Sequence, residues 1–591
     1  MTLRRVWITS LLLTLTASVA QAKTKYQPPS PLSPEQSALV QKAIAAEKVT
    51  IKQIQKHSPL VQTYIQNMRP DQVLYAVPES DQYLLGRVDF GKSITDTAYS
   101  GEGSSHGLFK GSMKYVSGLT KAFKMQYISA GFMEMMFLDP ISFDQQHYDF
   151  TYVRRDFLGA VRTLVFDVHP KPGTGSGRFT GRIWIEDQAG NIVRFNGTYT
   201  GGNQDDDSSS YFHFDSWREN LQPGLWLPVG VYVEETQKSS EHPVSFKAQT
   251  YIWGYALKLP THESDNESVK IDDVQDQSEQ SQDLSPLAAQ REWISQAEEN
   301  VLDRLVQAGL LAPPSDFDKV LEQVANNIVI GNNIQVSDAI HCRVLLTAPL
   351  ESLAVGNTII LSKGLIDVLP TEADLAAVLS FQLAHIVLGH HIDTRYAFND
   401  RLLFPDEATF ERIHMSHSDP DNELAAKKAI DLLNHSVYAT NLSQPGLFLN
   451  QLDARSKQLT ALNTPRLGDS LLRPTGEPWL NGLMSKAPKL DMNKLDQVAA
   501  LPLGSNLKID AWDDKVIRLN ARMPPIMNAR DKMPFEVTPV FFRLTRYTPP
   551  VTAAPTPAAG SAETAPPPPP AVDTQQSAAP AQASATQPSP Q

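Results

Sequence analysis

Between residues 261 and 286 the chain loses the means to bury itself, and this break governs how the rest can fold. Glu263, Asp265, Glu267, Asp272, Asp273, Asp276, Glu279 and Asp283 stand against a single Lys270, with few apolar side chains among them. Such a stretch cannot bury enough surface to offset the entropy of ordering it, so 261–286 reads as a disordered acidic linker. A second break covers 549–591, where Pro, Ala, Ser, Thr and Gln dominate, no aromatic residue occurs, and Pro566 to Pro570 form a run. That composition gives an extended tail. Two foldable stretches remain, in keeping with ~100–200 residues per domain. The fold class expected is α+β: an N-terminal curved antiparallel β domain, then a mainly helical domain.

The first residues read as an export signal. Arg4 and Arg5 precede the apolar stretch Trp7 to Val19, and Ala20-Gln21-Ala22 forms an A-x-A cleavage site. Residues 1–22 are therefore expected to be a signal peptide, with the mature chain in the periplasm or cell envelope. No later run is long and apolar enough to span a bilayer, which takes ~20 residues. The formal charge of −13 becomes −15 once Arg4 and Arg5 are removed. An acidic surface repels phosphate backbones, which argues against nucleic acid as a partner. Cys342 is the only cysteine, so an internal disulfide and a thiolate metal cluster are both excluded.

Residues 23–82 read as a helical lead-in, opened by the capping box Ser33-Pro34-Glu35-Gln36. From about Tyr83 to residue 260 the alternation is that of antiparallel strands. Phe179 to Glu186 and Ile192 to Tyr199 flank the turn Asp187-Gln188-Ala189-Gly190, and further strands follow at Tyr211 to Trp217, Trp226 to Glu235 and Ser245 to Ala256. The pattern Gly181-Arg182-Ile183-Trp184-Ile185-Glu186 followed by Gly190-Asn191-Ile192-Val193-Arg194 resembles that of periplasmic lipoprotein-sorting proteins. The resemblance implies a curved sheet closing over helices, with an apolar concavity that holds acyl chains.

In the second stretch, residues 287–505, helices are expected at Ser285 to Leu311 and Phe317 to Asn327, and strands at Cys342 to Thr347 and Asn357 to Leu361. Thr371-Glu372-Ala373-Asp374 then starts a helix running to about His391. Within it, Leu383-Ala384-His385-Ile386-Val387-Leu388-Gly389-His390 resembles the zinc helix of peptidase family M forty-eight, which includes the CAAX prenyl endopeptidases and periplasmic chaperone-proteases. The lead-in Asn357-Thr358-Ile359-Ile360-Leu361-Ser362-Lys363-Gly364-Leu365-Ile366 resembles that family too. A small β region is expected at 506–548.

The resemblance implies an H-E-x-x-H site, in which two histidines a helical turn apart share Zn²⁺ and the glutamate activates a metal-bound water. Here Phe381 stands at the first ligand position and Gln382 at the general-base position; neither can serve. His385 alone is retained, and one imidazole makes a poor site. On the later helix Asn422 falls at the third ligand position, and a one-residue shift would put Glu423 there instead. His414 and His417, with Asp419 and Asp421 nearby, read as polar loop residues, while His390 should point some 140° from His385 at ~100° per residue. No catalytic residue and no cofactor are therefore expected. The reading is a non-catalytic envelope factor that binds polypeptide or lipoprotein clients. Two alternatives stay open: a zinc endopeptidase using His385 with Glu423, and a lipid or lipoprotein carrier.

Overall fold

The computed structural model describes residues 28–57, 59–71, 75–87, 97–98, 132–139, 142–175, 178–199, 211–236, 244–255, 286–335, 338–369, 371–392, 415–491, 507–510 and 515–518. The residues expected to form the signal peptide, 261–285 of the expected linker, His414, the expected tail and 519–548 of the expected β region lie outside them.

The chain opens with α1 (Pro34–Ile54), capped as its sequence predicts: the Ser33 hydroxyl accepts from Gln36 N at 3.2 Å, and the Gln36 side chain accepts from Ser33 N at 3.0 Å. One antiparallel sheet follows. Its strands are β1 (Leu60–Asp71), β2 (Tyr75–Arg87), β3 (Thr97–Ala98), β4 (Tyr148–Leu158), β5 (Val161–Pro170), β6 (Phe179–Glu186), β7 (Ile192–Tyr199), β8 (Tyr211–Gln222), β9 (Leu225–Thr236) and β10 (Val244–Trp253). In space they run β3-β2-β1-β10-β9-β8-β7-β6-β5-β4, so β4 to β10 form a meander whose last strand pairs with β1.

The sheet thus begins at Leu60, inside the stretch read as a helical lead-in. The reason lies in what covers β1. Val61 and Ile65 belong to the core under α1, whereas Tyr64, on the opposite face, packs into the core of the second half. A strand buried on both faces lacks the polar–apolar alternation that betrays a half-exposed one. Polar side chains on that second face are buried too. Gln62 Oε1 accepts from Ala348 N at 3.0 Å, and Asp81 of β2 accepts from Ala461 N and Leu462 N, each at 2.8 Å.

Helix α1 packs on the inner face of the sheet, where Val40, Ala43 and Ile54 join Phe166, Phe179, Phe195 and Phe214. This face is filled by the chain's own side chains. One buried ion pair fastens the helix: Arg218 of β8 donates to Glu47 at 2.6 and 2.8 Å, and both side chains are 1% exposed. On the other face the Arg194 guanidinium lies between the rings of Trp184 and Trp217, 4.2 and 4.5 Å from their centroids, and pairs with Asp215 at 2.9 Å.

The second half contains α2 (Pro286–Gln307), α3 (Asp316–Gly331), α4 (Lys363–Val368), α5 (Glu372–Leu388), α6 (Asp419–Asn434), α7 (Ser443–Arg455) and α8 (Thr460–Asn463). Strands β11 (His341–Leu345), β12 (Glu351–Val355), β13 (Thr358–Ser362) and β14 (Asp469–Ser470) form a small mixed sheet in the order β11-β13-β12-β14. Strand β12 escaped the sequence reading, since Glu351 and Ser352 interrupt its apolar run. Gly364 is required where α4 meets the loop before β12, because a Cβ there would sit 1.8 Å from the Ala348 carbonyl oxygen. A short hairpin, β15 (Leu507–Asp510) with β16 (Lys515–Arg518), falls within the expected β region.

Candidate metal centre

Helix α5 is the axis of the second half. Thr371 and Asp374 form its capping box, and residues from Ala373 to His385 are buried on almost every side. A helix apolar all round belongs inside a core rather than on a surface. Phe381, Gln382 and His385 are each 0% exposed. The Phe381 ring packs edge-on against His385 with centroids 5.1 Å apart, so the first ligand position of the H-E-x-x-H pattern holds packing. The Gln382 amide donates to Ser352 Oγ at 2.8 Å and to Asp469 Oδ2 at 3.3 Å, which ties the general-base position into β12 and β14.

Gly389, at φ 69°, ends α5 in a left-handed cap. This turn carries the chain back on itself, and His390 Nδ1 comes within 3.1 Å of His385 Nδ1. The 140° separation expected from helical geometry does not hold, because the helix stops before His390. His390 Nε2 in turn lies 3.6 Å from Asp421.

Two further residues join His385: His417, expected to be a polar loop residue, and Asp469, which the sequence does not single out. His417, just before the Ser418 cap of α6, stacks on His385 with ring centroids 3.7 Å apart and planes 26° apart. It lies in a loop, as read from the sequence, but is buried there as a member of the site. Asp469, on β14, holds His417 twice: Oδ1 accepts from His417 N and Oδ2 meets His417 Nδ1, both at 2.7 Å. His385, His417 and Asp469 each offer a donor atom, and the three atoms lie within 4.8 Å of one another. They form a set able to hold a metal ion, so His385 is not isolated.

Glu423 is not part of this centre. It faces outward in an ion pair with Arg473 at 2.5 Å and another with Lys427 at 3.3 Å, and the hydrogen bond from Arg473 holds its carboxyl below the usual range. Asn422 is the one turned inward: 4% exposed, it donates to His417 O at 3.3 Å. An H-E-x-x-H site would consequently lack its first histidine at Phe381 and its glutamate at Gln382.

Burial sets the charge state. The His385 pKa is pushed down to about 3, chiefly by desolvation and then by its neighbour His417, against the opposing pull of Asp469. Glu351, whose Oε1 takes the Thr347 hydroxyl and whose Oε2 accepts from Leu467 N at 3.1 Å, is pushed up to about 7 by burial. That last contact fixes the segment leading into Asp469.

Beside the centre runs a groove of about 850 Å³, lined among others by His417, Asn422, Asp469, Arg473, Glu477 and Trp479. The Arg473 guanidinium lies 4.5 Å from the Trp479 ring centroid. No protein-family model matches the chain, and a search of curated proteins finds no match either.

Local sequence could flag His385 through its helical motif. His417 and Asp469 carry no such signal: 52 residues separate them, and the contact exists only because β14 pairs with β12 under α5.

Proposed function

We propose that this chain is an exported, non-catalytic binding factor of the cell envelope, built on a zinc-metallopeptidase-like domain that holds polypeptide or lipoprotein clients without cutting them. The observation that carries the reading is Gln382. Its amide cannot accept a proton near neutral pH, it is fully buried, and its hydrogen bonds to Ser352 and Asp469 commit it to structure. A hydrolase of the H-E-x-x-H type loses its general base when this position is an amide. The groove along His417, Arg473 and Trp479 supplies a polar cleft of a size suited to an extended chain. The endopeptidase alternative through Glu423 has less support, since that carboxylate is engaged by Arg473 and Lys427.

The test uses the mature full chain, zinc, and fluorescently labelled peptides of unfolded casein. Binding seen by anisotropy, with every peptide mass unchanged after prolonged incubation, is the expected result. New fragments that vanish in a His385→Ala variant would overturn the reading, and so would the absence of any binding.

A further inference from the structure

We propose that His385, His417 and Asp469 form a binding site for one divalent transition-metal ion, through a two-histidine, one-carboxylate set distinct from the H-E-x-x-H arrangement. The three donors lie within 4.8 Å of one another and all three residues are buried. The second observation concerns atoms without partners. His385 Nε2 and His417 Nε2 are both buried and, among the described residues, neither has a hydrogen-bond partner. An unmet buried polar atom costs roughly 1–3 kcal/mol, and two in contacting side chains is a conspicuous expense for a packed core.

The surroundings are those of imidazole ligands. A metal-bound histidine usually has its other ring nitrogen held by a hydrogen-bonding group, which fixes the ring and the tautomer. Here His385 Nδ1 is held by His390 at 3.1 Å, while His417 Nδ1 rests on Asp469 at 2.7 Å, a contact that opens when the His417 ring turns and frees the carboxylate for the ion. Asp469 is steadied in turn by the backbone of His417 and the amide of Gln382. A carboxylate has about four lone-pair sites, so with the Nδ1 contact open Asp469 can ligate the ion while keeping its bonds to the His417 backbone and Gln382. Two imidazoles and a carboxylate suit zinc, iron, cobalt, nickel or copper rather than magnesium or calcium, which favour all-oxygen shells.

Stacking sets a condition on this site. Ring planes 26° apart at a centroid spacing of 3.7 Å do not meet at a common point within bonding reach of both rings. Loading the ion turns one ring out of the stack. The groove beside His417 gives that ring somewhere to move. The ion would join the end of α5, the residue before the α6 cap and the edge strand β14, three segments far apart in the chain. With an amide at position 382, no general base stands at that position beside the ion. This inference does not depend on the client-binding reading.

The experiment is zinc loading of the mature full chain, followed by dialysis against a weak chelator and elemental analysis. One zinc per chain is expected, with X-ray absorption showing imidazole scattering in the shell and the cobalt form giving visible d–d absorption. His417→Ala and His385→Ala should each drop the stoichiometry below one tenth. Asp469→Asn removes the carboxylate ligand and should likewise drop the stoichiometry below one tenth. Circular dichroism of each variant separates loss of the site from loss of the fold. Sub-stoichiometric zinc in the natural chain overturns the proposal, as does full zinc in folded variants lacking either histidine, or a shell without imidazole. Bound zinc together with peptide cleavage would leave this site standing and remove the proposed function instead.

Discussion

Two buried polar clusters, one in each half of the molecule, differ in how their groups are matched. Under the sheet, Arg218 and Glu47 meet in a doubly hydrogen-bonded pair, and on the other face Arg194 is matched by Asp215 and two indole rings. Around His385, by contrast, Gln382 Oε1, His385 Nε2, His417 Nε2 and Asn422 Oδ1 all lack a hydrogen-bond partner among the described residues, within one connected group of side chains. In the first, each charge has its counter-charge, although Arg218 Nε has no hydrogen-bond partner among the described residues. The second has donor capacity left over. Charges paired internally report on stability, whereas unmet atoms gathered in one place point to something the site takes up.

The contrast can be broken by substitution. The largest effect is expected from Glu47→Ala, which leaves the Arg218 guanidinium buried without its counter-charge. Breaking one side of such a pair costs about 3–5 kcal/mol. Urea unfolding should show it, and the double variant Glu47→Ala with Arg218→Met should recover part of the loss. Recovery of nothing would mean that the pair is not the source of the effect.

Next comes Gln382→Glu, which restores the glutamate of an H-E-x-x-H pattern in name only. It brings a second carboxylate to Asp469 and removes the two amide donations. The expected cost is about 1–3 kcal/mol, read by thermal unfolding, with no peptide cleavage gained. A stable variant that cuts casein would erase the distinction between packing and catalysis at this position.

Glu351 sharpens the comparison through pH. Its carboxyl is raised to about 7 in the folded chain against an ordinary value near 4.5. Between these limits the folded state binds more protons than the unfolded one, so this group's contribution falls as pH rises. The slope is at most about 1.4 kcal/mol per pH unit. Glu351→Gln should therefore lose less stability than the natural chain between pH 5 and pH 7. Parallel profiles for the two proteins would contradict that assignment. The smallest effect belongs to Glu423→Ala: an exposed pair contributes about 0–1 kcal/mol, and zinc content should be unchanged.

How far the sequence could be read follows the same division. The capping boxes at Ser33 and Thr371 rest on neighbours three residues apart, so they were legible, as was the β6–β7 hairpin with its turn at Gly190. Strands β1 and β2 were not, because burial on both faces hides a strand's period behind Gln62, Tyr64 and Gln66. At the candidate site, Phe381, Gln382 and His385 could be picked out because one helix carries all three. His417 and Asp469 could not. Their meeting depends on β14 docking against β12, a contact that no local pattern encodes. The choice between Asn422 and Glu423 was likewise a matter of one helical step, and burial resolves which of them faces inward.

The contacts of Asp81 and Gln62 have a consequence for how the chain melts. The strands that begin the sheet also cap α8 and receive the backbone of Ala348, so neither half keeps its hydrogen bonds when the other opens. A polar break in the sequence at 261–286 is then no guide to cooperativity. Calorimetry should give one transition spanning both halves, and a fragment ending at residue 260 should expose Tyr64, Gln62 and Asp81 together and unfold at a lower temperature than the whole. What the composition divides, two strands near the N-terminus hold as a single thermodynamic unit.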